Sequence, residues 1–188
     1  MTTHEKKTFE KIDYSEKNLS GREFINCEFV GCHFQKSDLG NNDFMDCIFR
    51  DCNLSLAVLN GTGLKNATFH DCKMLGIDFS RCNSFLFSVS FQNCLLDYCS
   101  FFQLKMKKTS FINCSVKEVD FAEADLSMAS FKECDLLNTS FIRSQLEKAD
   151  FRTAINYSFD PELNRIKKAK FSLPGVLGLL SKYPIIIE

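Results

Sequence analysis

The chain has 188 residues, 45% of them apolar, and a formal net charge of −1. That length suits one domain with a substantial core, and the charge balance signals neither a nucleic-acid binder nor a strongly acidic protein. Residues 1–13 lack the apolar stretch of a secretory leader, and no segment reaches the roughly 18 apolar residues of a membrane span. The reading is therefore a cytoplasmic protein without membrane contact.

Residues 1–8 carry no pattern and read as a frayed lead-in. From Phe9 a column of phenylalanines sets the period: Phe9, Phe29, Phe49, Phe69, Phe91, Phe111, Phe131 and Phe151. The step is 20 residues throughout, except for 22 between Phe69 and Phe91. Within each step nearly every fifth residue is large and apolar, a period that neither a helix nor a strand sustains alone. Laid out at 20 residues per coil, three further columns start at Tyr14, Leu19 and Phe24. Like stacks on like, as identical coils of a solenoid require. Lys7, Lys17 and Arg22 fall in inward slots of the first coil and are expected to reach back to solvent.

The ten cysteines invite a disulfide or metal reading, but their position opposes it. Cys32, Cys52, Cys72, Cys94, Cys114 and Cys134 recur two residues before a column centre, a slot otherwise held by small residues such as Ala57, Ala67 and Ala129. Residues two apart in extended chain share a face, so these thiols are predicted to be small buried hydrophobes, free and stacked. The position between the two inward ones is often Asp, Asn or Ser, as at Asp38, Asp43 and Asn53, types that bond nearby backbone and favour corners.

The break in period places a two-residue insertion at 80–86, in the run RCNSFLFSVS. Alternation with the expected inward Leu86 turns Phe85 and Phe87 outward. They are either the flank of a local bulge or a small apolar contact site.

Past Phe151 the grammar changes, and 156–188 reads as a C-terminal cap. Leu173-Pro174 opens a short helical segment with Val176, Leu177, Leu179 and Leu180 on one face, and Ile185 to Ile187 reads as a short strand. An exposed last coil needs a cover, and this tail holds more apolar surface than a cover uses. The expectation is a homodimer through Val176, Leu177, Leu179, Leu180, Ile185 and Ile187.

The repeats Ala124-Asp125-Leu126-Ser127-Met128 and Ala149-Asp150-Phe151-Arg152-Thr153 resemble the pentapeptide-repeat consensus A-(D/N)-(L/F)-X-X over residues 9–155. The resemblance implies an all-β fold, a right-handed quadrilateral β-helix with four pentapeptides per coil. The tail is similar to that of the Qnr and MfpA group, which implies a two-fold dimer and binding to type II topoisomerase (gyrase) as a DNA mimic, with protection from quinolones. Two features depart from that group: the insertion is short, and the total charge is near neutral.

Charge distribution bears on this. From Glu118 to Asp150 there are eight acids against three bases, and Glu118, Asp120, Glu123, Asp125, Glu133 and Asp135 are the candidate acidic surface. After Phe151 the tail is net +3. No P-loop, dinucleotide fingerprint or nucleophile elbow occurs. His33 and His70 point outward while their neighbours Cys32 and Cys72 point in, so no zinc set converges. The chain reads as a non-enzyme without metal or cofactor and without direct nucleic-acid contact. Two functions stay open: a topoisomerase-binding DNA mimic, and a general interaction scaffold with another partner.

Overall fold

The computed structural model describes residues 2–85 and 87–187. The chain winds as an all-β parallel solenoid of short strands and single bridges. Along one face Thr8–Glu10 (β2), Glu28–Val30 (β4), Ile48–Arg50 (β6), Ala67–His70 (β8), Val89–Gln92 (β9), Ser110–Ile112 (β10) and Ser130–Lys132 (β11) form a parallel sheet. Its register sets Phe9, Phe29, Phe49, Phe69, Phe91, Phe111 and Phe131 directly above one another. A second sheet joins Thr2–Glu5 (β1), Arg22–Ile25 (β3), Asp43–Met45 (β5) and Gly63–Lys65 (β7). The other two columns are tied by single parallel bridges such as Asn53↔Lys73 and Ser100↔Asp120.

The core is the inside of this tube. In the first column the rings stack from Phe9 to Phe171, with centroids 4.7 to 5.4 Å apart. Phe111 lies 5.3 Å from Phe91 and 5.0 Å from Phe131, tilted by 16° and 5°. That spacing is the distance between hydrogen-bonded strands, so backbone and rings share one repeat. The rings also meet the opposite column edge-on, Phe111 against Phe121 at 5.7 Å and 78°.

Each coil turns two residues after a column centre. Among the described residues the backbone enters the left-handed region at 25 non-glycine positions, nearly all of them at these corners, including Lys36, Leu56, Tyr98 and Glu118. Such φ values are unfavourable for residues with a Cβ. They persist because most corner N–H groups find a carbonyl on the next coil: Lys36 donates to the Ser55 carbonyl at 3.0 Å and Lys108 to that of Ser127 at 2.9 Å. The Asp and Asn of the middle position do bond local backbone, Asp38 accepting from the Gly40 N–H at 2.8 Å and Asp120 from that of Ala122 at 2.9 Å. They precede the left-handed corner residue by three positions.

The ten thiols are free and buried. Four of the six column thiols, Cys32, Cys52, Cys72 and Cys94, bond the coil before them. Cys32 donates to the Phe9 carbonyl one coil away at 3.2 Å, and Cys52 and Cys94 make the same bond to Phe29 and Phe69 at 3.4 Å. Thr62 and Ser144 use hydroxyls identically, on Leu39 and Phe121 at 2.8 Å. The slot therefore accepts a small side chain with or without one donor. Burial pushes the Cys47 and Cys99 thiols up to about 12, which keeps them protonated and unreactive.

Three expectations change. The N-terminus is not frayed: β1 pairs with β3, and His4 sits opposite Phe24, its ring stacked at 5.0 Å. The stack also continues past Phe151, because Lys170 bridges Asp150 and Phe171 lies 5.4 Å above Phe151. Finally, the insertion buries one of its two aromatics. Asn83 still donates to Thr62 in ordinary register, but Ser88 next reaches Leu64 and Val89 pairs with Ala67. The bulge breaks the alternation that put Phe85 and Phe87 on one side: Phe85 is 70% exposed, whereas Phe87 is 8% exposed with its ring against Phe79 at 6.5 Å. The inward position expected for Leu86 lies outside the described residues. The second sheet ends at β7, beside this bulge.

Replacing Phe111 by Ala should cost about 3–5 kcal/mol in chemical denaturation, because a closed stack cannot collapse on the gap. Phe102, 38% exposed on the outer wall, should lose about 1 kcal/mol or less on the same change. Equal losses would overturn the assignment of inside and outside.

Candidate interaction surface

A tube filled by its own side chains leaves no central cleft, so any site lies on the walls or at the ends. One wall depression runs past Leu56, Val58, Gly76, Asp78 and Arg81. Its two charges pair with each other at 3.3 Å. Among the described residues no group of three or more His, Cys, Asp or Glu could hold a metal ion. His33 is exposed and His70 half-buried, while Cys32 and Cys72 are buried.

The acidic candidates do not line up. A coil takes 20 residues, so acids close in sequence travel around the tube instead of along it. The residue above or below each is not an acid: Glu118 accepts from Asn138 at 2.7 Å, and Asp120 bridges Ser100 and Ser140. Glu123 meets Gln103 at 2.8 Å and Arg143 at 3.6 Å, and Asp125 lies between Lys105 and Gln145. Glu133 stacks against Thr153 and pairs with Lys132 at 3.8 Å, and Asp135 pairs with Lys117 at 3.1 Å. These six residues make a girdle of mixed charge.

The tail is docked on the last coils. Its helical part is a 3₁₀ turn, Gly175–Leu179, and residues 185–187 form no strand because Pro184 and the short run leave them without a partner edge. Leu179 is 7% exposed and packs inward, which removes it from the expected interface. Leu180 is half-buried, and Val176, Leu177, Ile185 and Ile187 remain exposed. Gly178 allows the close approach, since a Cβ there would collide with the Tyr157 carbonyl oxygen. A polar clasp holds the end: Lys182 Nζ lies 2.7 Å from both Asp160 and Glu162, and the Tyr183 hydroxyl donates to Glu162 at 3.2 Å. Among the described residues no helix is long and apolar enough to cross a membrane.

With this geometry in view, the pentapeptide repeat region family matches residues 18–101 and 84–159. The chain belongs to the pentapeptide-repeat family. Among solved structures it is similar to a trypsin-treated variant of QnrB1, described as a plasmid-mediated fluoroquinolone resistance protein. The two are 20% identical with a TM-score of 0.57, covering 100% of this chain and 98% of that one. It also matches HetL, a pentapeptide repeat protein involved in heterocyst differentiation regulation in the cyanobacterium Nostoc sp. strain PCC 7120. Identity there is 16% and the TM-score 0.44, with 88% of each chain covered. At these identities the likeness is one of fold. No curated protein matches the chain.

The Lys182 contacts hold the Asp160 and Glu162 carboxyls below the usual carboxylate range. Folded values below the unfolded ones mean that the clasp stabilises the docked tail at neutral pH and is lost as pH falls through the depressed values. Hydrogen-exchange protection of residues 175–183 should therefore drop below about pH 4 while that of β10 persists. Lys182→Met should lower tail protection already at pH 7. Unchanged tail protection in both cases would refute the clasp.

Proposed function

We propose that this family member is a non-catalytic interaction rod, wound as the right-handed four-sided helix implied by its family and closed at the C-terminal end by the docked tail. It works by surface contact with a protein partner in the cytoplasm. The observation that carries this reading is the filled tube, which leaves outer walls and ends as the only working surfaces. The tail is the self-association surface in this proposal. Val176, Leu177, Ile185 and Ile187 stay exposed after Leu179 has covered the last coil, and a cluster of exposed large apolar residues in one short segment is the kind of surface protein contacts use.

Type II topoisomerase is the partner that the Qnr and MfpA resemblance names, and the fold likeness to QnrB1 is consistent with it. The girdle of mixed charge favours a second reading, a scaffold for a different partner, because a DNA mimic is expected to present continuous negative potential.

Sedimentation should give a dimer at micromolar concentration and a monomer for the Leu177→Asp, Ile185→Asp double variant. In a gyrase supercoiling assay the wild type should inhibit the enzyme or relieve quinolone inhibition, less so as salt rises, and the double variant should be weaker. A monomeric wild type overturns self-association. No binding to gyrase at low salt removes the topoisomerase and leaves the scaffold.

A further inference from the structure

The N-terminal end of the stack holds a cavity of 220 Å³. Its floor is the second coil, with Phe29, Phe34, Leu39 and Phe44 at most 2% exposed, and its walls are first-coil residues. The cavity has a simple origin. In later coils the third column is filled by Phe79, Phe101, Phe121 and Phe141, but the first three coils place Leu19, Leu39 and Leu59 there. The smaller side chains leave unfilled space beneath an end that only His4 and its strand overlie.

The polar atoms around this space are incomplete. His4 and Asn42 both line it, and among the described residues His4 Nδ1 and the Asn42 Nδ2 amide are buried without a hydrogen-bond partner. Asn42 has committed its oxygen to the Arg22 N–H at 2.8 Å. Arg22 also lines the cavity, and neither it nor Lys7 makes an ion pair among the described residues. The local field is positive: burial lowers the His4 pKa, and the charges of Lys7 and Arg22 lower it further. Buried donors left unpaired are costly. An apolar cavity of about 150 Å³ is already enough to take up benzene.

We infer that this cavity is a binding site for a small aromatic monocarboxylate. The ring fills the space enclosed by Phe9, Tyr14, Leu19 and Phe24 above the second coil. The carboxylate accepts from the Asn42 amide, from His4 as its Nδ1–H tautomer, and from the Arg22 guanidinium. The site is independent of the outer walls and the tail.

Benzoate is the probe, with toluene as the uncharged control of similar size. Titration followed by NMR should shift the His4, Phe9 and Phe24 resonances saturably at millimolar benzoate or below. Arg22→Met should weaken benzoate by about tenfold or more while sparing toluene, the loss expected for a charge-assisted bond. Leu19→Phe restores the residue type of the later coils, so it should fold, melt at a higher temperature and bind neither probe. Absence of saturable shifts with the wild type overturns the site. Benzoate binding that is unchanged in Leu19→Phe overturns its location, and toluene binding as well as benzoate overturns the role given to Arg22, Asn42 and His4.

Discussion

The structure depends on one coincidence of lengths. Parallel strands joined by hydrogen bonds lie about 4.8 Å apart, and offset-stacked phenyl rings have centroids at nearly the same distance. When the chain returns to the same column every 20 residues, both conditions are met by one repeat: Phe29 lies 4.7 Å above Phe49 in the same register that pairs their strands. Neither contact could hold without the other. A coil alone exposes its rings on two sides and has no partner for its backbone, so stability comes only from neighbours.

That constraint decides what the inside can contain. Beside each large centre only a small residue fits, and the backbone of the neighbouring coil offers it a carbonyl lone pair. Cys, Ser and Thr can use that lone pair and Ala can ignore it, which is why ten thiols sit in the core without disulfide or metal chemistry. The repeat is imperfect in three places: the bulge near Phe85, the docked tail, and the end beneath His4.

The columns were legible because a five-residue apolar period is strong and unlike any other. Two members were hidden for chemical reasons. His4 stands one period before Phe24 but does not read as apolar, and Phe171 follows a coil whose Tyr157 and Phe159 are out of step. Phe87 was misplaced because strand alternation fails in a bulge. The acidic candidates were misleading for a geometric reason: proximity in sequence is proximity along a surface only when the chain runs along that surface, and here Asp125 and Asp135 lie on different walls. In the tail the apolar residues were legible, but which of them cover the last coil was not. Leu179 and Leu177 are two apart in a turn whose direction only its docking against Tyr157 determines.

The central claim is that the 20-residue coil is the unit of folding, held by its two neighbours. Its most direct test is deletion of residues 111–130 compared with deletion of residues 111–117, each followed by thermal unfolding and small-angle scattering. The first joins Ser110 to Phe131 in register and should leave a cooperatively melting rod shorter by about 4.8 Å. The second drives the large column centres into the slots of the small residues for the rest of the chain and should abolish the cooperative transition. A seven-residue deletion that folds as well as the 20-residue one would contradict the account.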